Sequence, residues 1–243
     1  MRAAADSSAT MMLRSGAATR VASREEERSV YRRFAIIMLV AVAALAPVAG
    51  AAQEATPPPG AVALGPEECR VAPRSPEEIL AVLATPANDT GSAATDVAPA
   101  REPRTVASED ELPTGEPADA ATTEAVEPVV REFTACFNAR DLFRLFSLVS
   151  DDFQRELAAE VGIPPTEAEL ATAAAMQPTP VSMSERQVIV AIRDARVLPD
   201  GRVGVILVGD WLNDEKAPQP TFFVLVETDG RWQVDGVISV DRA

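Results

Sequence analysis

The sequence predicts an α+β domain, N-terminal helices packed on a curved antiparallel sheet, preceded by a signal sequence and a disordered linker. Three observations predict this. An uncharged apolar run follows an arginine-rich start. A proline-, alanine- and acid-rich stretch without apolar periodicity comes next. Beyond about residue 122 the apolar spacing is first helical and then alternating.

The first segment is residues 1–51. Arg2, Arg14, Arg20, Arg24, Arg28, Arg32 and Arg33 outnumber Asp6, Glu25, Glu26 and Glu27, and no charge occurs from Phe34 to Gln53. The triplet Ala49-Gly50-Ala51 after Pro47 completes the charged, apolar and small-residue parts of a secretory signal, with cleavage expected near Ala51. The product would be secreted or associated with the cell envelope, outside the cytoplasmic membrane. Left uncleaved, the same run is long enough to cross a bilayer core of about 30 Å as a single-pass anchor. Contact with a membrane is expected only through it.

Residues 52–121 read as a disordered acidic linker, because their mixture of Pro, Ala, Thr, Ser and carboxylates offers too little apolar surface to offset chain entropy. One short helix is predicted over 75–83. There Ser75 stands as cap, Pro76 at the first helical position and Glu78 at the third, before Ile79, Leu80, Val82 and Leu83.

Residues 122–243 form the predicted domain. Val126, Val129, Val130, Phe133, Cys136 and Phe137 recur at spacings of three and four, which makes one apolar helical face, with Pro128 expected in its first turn. A second helix carries Leu142, Leu145, Phe146 and Val149. A third opens at Asp151 and Asp152, with Gln154 expected to close a capping box on Asp151. A fourth follows Pro164-Pro165-Thr166. Strands are predicted for Val188–Val197, Val203–Trp211, Phe222–Glu227 and Arg231–Val240. Asp229-Gly230 marks a tight hairpin that pairs Leu225 with Val234 and Phe223 with Gly236, and so gathers Phe223, Leu225, Trp232, Val234, Ile238 and Val240 on one face.

Composition narrows the chemistry. A formal charge of −15 argues against a nucleic-acid binder working through a basic face, and no histidine exists for a Ser-His-Asp, Cys-His or imidazole-metal site. Gly201-Arg202-Val203-Gly204 lacks the dinucleotide fingerprint, and Lys216, the only lysine, belongs to no phosphate loop. No cofactor or metal is expected. Asp210, Asn213, Asp214 and Glu215 match no calcium loop and read as a solvated turn, and Arg193 and Asp194 read as rim charges with one of them able to reach the interior. Export would permit a disulfide between Cys69 and Cys136, which are otherwise a free or intermolecular thiol and a buried apolar one.

The stretches Val130–Asp141, Leu145–Phe153 and Asp229–Val237 resemble the opening and the last hairpin of nuclear transport factor 2-like domains of the SnoaL and ketosteroid-isomerase type. The resemblance implies a cone whose helices and concave sheet enclose an apolar pocket. Phe133, Phe137, Phe146, Trp211, Phe223 and Trp232 either line that pocket or fill a core. It also implies an oxyanion-stabilising tyrosine at Phe133 and a general base near Leu157, neither of which this sequence supplies; Glu156 and Glu160 are the nearest carboxylates. The expected function is therefore an exported, non-catalytic domain that binds a small apolar ligand or a protein partner. The alternatives are a lyase or isomerase with a non-standard carboxylate, and a structural envelope protein whose tether is the working part. The sheet's other face, with Phe222 and Val224 near its centre, is the expected surface of a two-fold homodimer, unless the chain's own tether covers it.

Overall fold

A computed structural model of the chain describes residues 60–85, 104–161, 165–211 and 218–241. The predicted leader, residues 52–59 and 86–103 of the predicted linker and the loop carrying Asn213, Asp214 and Glu215 lie outside them.

The described residues form an α+β fold with helices on a mixed, curved sheet. In chain order the elements are β1 (Val62–Ala63), α1 (Pro76–Ala84), β2 (Thr105–Val106), β3 (Glu116–Pro117), α2 (Ala120–Ala139), α3 (Leu142–Ser147), α4 (Asp151–Val161), α5 (Glu167–Ala175), β4 (Gln187–Val197), β5 (Val203–Trp211), β6 (Gln219–Thr228) and β7 (Arg231–Val240). The sheet order among them is β1-β4-β5-β6-β7-β2, with β3 also on β4. All pairs are antiparallel except β2 with β7, which is parallel and makes the sheet mixed.

Two helix starts differ from expectation. Asp119 caps α2 by accepting the Thr122 N–H at 2.7 Å, so the helix begins early and Pro128 lies inside it. Proline offers no N–H to the Glu124 carbonyl one turn back, and the exposed position leaves that carbonyl to water. At α4 the cap is Ser150, whose Oγ accepts the Phe153 N–H at 3.0 Å. Gln154 is released from the expected capping box and is buried instead.

The hairpin turn has positive φ at both Asp229 and Gly230, the geometry of a tight two-residue turn between twisted strands. Leu225 pairs with Val234 as expected, but Val224 pairs with Gly236, leaving Asp235 as an extra residue. This bulge moves Phe223 opposite Val237. It also turns Ile238 and Val240 to the outer face, opposite to the expected one, where they pack with Phe222 and Val224. Two further irregularities, both in β4, add to the curvature, and Asp194 takes a positive φ at one of them.

Disorder does not extend through residues 60–85 and 104–119. β1 joins β4, Cys69 and Cys136 form a disulfide with Cα atoms 4.7 Å apart, and α1 packs against α4 and α5 with Ile79 fully buried. The composition is correct about the scarcity of apolar residues here. Leu64, Ile79, Val106 and Leu112 are buried against the rest of the fold, whereas Val62 is exposed and Val71, Leu80, Val82 and Leu83 are half-buried. Among the described residues no helix is long and apolar enough to cross a membrane.

Candidate functional site

The inner side of the sheet faces α2. Phe133 and Phe137 stand one turn apart on this helix. The Phe133 ring meets Phe223 edge-on with centroids 5.4 Å apart, and Phe137 meets Trp211 in the same manner at 5.9 Å. Edge-to-face contacts of this kind add about 0.5–1.5 kcal/mol beyond their buried area. Phe223 is buried, whereas Phe133, Phe137 and Trp211 stay half-buried. Trp232 pairs with Glu227 beside the hairpin turn, at the opposite end of the sheet from Trp211. Phe146 is half-buried on α3, near the place where Val149 bridges to Val234. The structure thus brings four of the six expected aromatics together as two pairs and keeps Trp232 apart from them.

Glu156, Asp210, Arg193 and Asp200 each have partners, and the Arg193 contact lies on the outer face of the sheet, away from this junction. Glu156 accepts a hydrogen bond from Arg104 Nε at 3.0 Å, and both side chains of this ion pair are largely buried. This contact gives Glu156 a cationic partner. The side chain of Glu160 lies outside the described residues. Asp210 accepts the N–H of Trp211 at 2.8 Å. Arg193 Nη2 donates to both oxygens of Glu109 at 2.9 and 2.8 Å, and the side chain also meets Asp194, so it is a rim charge. Its pKa is raised, first by the Glu109 hydrogen bond, with partial burial opposing. Asp200 is pulled below its ordinary value: burial pushes it up, but hydrogen bonds from the Arg202 side chain and backbone outweigh that.

The buried side chains of Asn138 and Ser150 are likewise paired, whereas Nε of Arg155 and Nε of Arg186 are buried without a hydrogen-bond partner among the described residues. Asn138 donates to the carbonyls of Gln187 at 2.9 Å and Leu64 at 3.1 Å and accepts the Gln187 N–H at 3.0 Å, joining α2 to β1 and β4. Ser150 donates to Asp235, which also accepts from Arg202 at 3.1 Å. Among the described residues no group of three or more His, Cys, Asp or Glu could hold a metal ion.

Residues 69–74 are pinned on the helices beside the disulfide. Glu132 accepts the N–H groups of Arg70 at 2.8 Å and Val71 at 2.5 Å. Arg144 Nε donates to the Val71 carbonyl at 3.0 Å, and Arg74 donates to Gln154 at 2.7 Å and Asp151 at 2.8 Å. Sequence reasoning missed Glu132 and Asn138. Both sit on a helix where a polar residue ordinarily faces water, and only their distant partners reveal their work.

Phe222 and Val224 are not an open face. Both are fully buried, in a cluster with Ile206, Ile238 and Val240 that is covered by Val106, Leu112 and Leu198. This corrects the expectation that they centre a dimer interface: the tether covers that surface in the same chain. A separate cleft of about 450 Å³ lies between Thr114–Glu116 and Val197–Pro199.

No protein-family model, curated protein or solved structure matches the chain.

Proposed function

We propose that the chain is an exported, non-catalytic domain of the nuclear transport factor 2-like type that binds a small apolar ligand between α2 and the inner face of the sheet. The observation that carries this reading is the pair of aromatic contacts Phe133–Phe223 and Phe137–Trp211, in which three of four rings keep accessible surface. Apolar walls with few polar groups suit a ligand held by shape and burial. The lyase or isomerase reading is weaker because Glu156, the nearest described carboxylate, is bound to Arg104. Export is supported by the buried Cys69–Cys136 disulfide, a bond that persists in oxidising compartments.

The test is titration with the neutral fluorophore N-phenyl-1-naphthylamine, an uncharged probe chosen because the chain carries −15. Saturable one-to-one binding is expected, with transfer from Trp211 and about tenfold weakening in Phe133→Ala. Failure of the folded chain to saturate, or a Phe133→Ala variant that binds equally well, overturns the reading.

A further inference from the structure

The outer face of the sheet is covered by residues that carry almost no structure of their own. Between Arg104 and Ala118 lie two strands of two residues each and one short turn at Glu109–Glu111. This segment starts at the β7 edge, where the Ser239 N–H donates to the Arg104 carbonyl at 2.8 Å and the Asp241 N–H to the Val106 carbonyl at 2.7 Å. It ends at the β4 edge, where the Ala118 N–H donates to the Ala195 carbonyl at 2.9 Å. In between, Val106 and Leu112 sit in the Phe222, Val224 and Ile238 cluster, and Arg193 grips Glu109 with both acceptor oxygens engaged. Arg196 lies over the Phe222 ring, 5.3 Å from its centroid, and donates to the Pro113 carbonyl at 3.2 Å.

These contacts are those by which a sheet recognises an extended peptide. Main-chain bonds to an edge strand hold it, apolar seats select side chains at fixed intervals, and one guanidinium nitrogen, Nη2 of Arg193, reads both oxygens of a carboxylate between them. We propose that the outer sheet face is a peptide-binding site for acidic segments with an apolar, acidic, apolar pattern, three residues from each to the next. Its occupant in this structure is the chain's own Val106-x-x-Glu109-x-x-Leu112. Charge favours this occupant over a second copy of the bare face: copies meeting face to face would set Arg193 and Arg196 against like charges, whereas Glu109, Asp110 and Glu111 complement them.

The test uses the full chain and a fluorescent peptide of residues 103–115, read by anisotropy. The unaltered chain should bind it weakly, because its own segment is already seated. Glu109→Arg with Leu112→Asp in the chain should empty the site and raise affinity at least tenfold. Arg193→Glu changes only an exposed side chain and covers the case in which that double variant fails to fold. Such a chain repels its own Glu109, so it should take a peptide carrying Glu109→Arg about tenfold more tightly than the unaltered peptide. A chain with Arg193→Glu that does not discriminate between the peptides overturns the proposal. So does a folded, emptied variant that binds neither peptide, or one that forms dimers in place of binding.

Discussion

Residues 69–75 lie on the helices under a covalent bond and a row of hydrogen bonds to their backbone, whereas residues 104–118 lie on the outer sheet face under two apolar side chains and an arginine–carboxylate pair. Both come from a stretch whose composition is that of a disordered linker, and both are short of apolar residues. The first segment cannot leave α2 without reduction of the disulfide. The second is held by noncovalent contacts alone. One stretch of sequence therefore supplies a covalent staple and a noncovalent cover.

Removing the staple is expected to have the largest effect. Cys69 and Cys136 are 67 residues apart, and closing a loop of that length restricts the unfolded chain by about 4 kcal/mol in the chain-entropy model. Replacing both by serine should lower unfolding stability by about that amount in denaturant titration. The Arg70 and Val71 amides should then exchange with solvent faster, while those of Ser239 and Asp241 keep their protection. Loss of protection at all four sites would mean that the two segments are held as one unit.

Removing an apolar seat acts on the other side. Leu112 is buried, and truncation of a buried leucine costs about 2–5 kcal/mol, with the low end expected here because a short surface segment can collapse into the space. Leu112→Ala should expose the Ser239 and Asp241 amides to exchange and leave Arg70 and Val71 unchanged, the mirror image of the serine variant. A smaller effect is expected at α1, where Ser75 accepts the Glu78 N–H and Glu78 accepts the Ser75 N–H at 2.7 Å. Ser75→Ala should cost about 1 kcal/mol, measured by the same titration. It should fray α1 alone, because the disulfide still holds residues 69–74.

The legibility of these parts in the sequence follows from the range of their interactions. Local signals were sufficient for α1, whose cap, proline and glutamate lie within four residues, and for the β6–β7 turn at Asp229 and Gly230. The strands β4 to β7 were legible from their alternation. The bulge at Asp235 was not, since the partners of that carboxylate, Ser150 and Arg202, are remote in sequence. Without it, alternation alone places Ile238 and Val240 on the face opposite to the one they occupy. Phe222 and Val224 were recognised as an apolar outer surface, but the alternation of β6 carries no information about what covers it. Val106 and Leu112, isolated apolar residues in an acidic stretch, show no period at all. Of the candidate site, the aromatics on α2 were legible as a helical stripe, while their pairing across to Trp211 and Phe223 depends on the fold.

Acid titration should give the smallest effect. Asp119 stands where residues 104–118 run into α2, and its carboxylate is held below its ordinary value, first by the Thr122 backbone N–H and then by the Thr122 side chain. A carboxylate with a lowered folded pKa contributes stability that is present above its unfolded pKa and lost as the pH falls through the folded one. The same sign applies to Glu169, lowered by Thr166, and to Asp200, where burial is outweighed by Arg202. Stability should therefore decline below about pH 4, where unperturbed carboxylates protonate. With no histidine in the chain, no step from an imidazole is expected between pH 5 and 8. Asparagine also caps helices well, so Asp119→Asn should change stability little at pH 7 and reduce the slope of the acid limb. Thermal unfolding followed from pH 8 to pH 2.5 measures both.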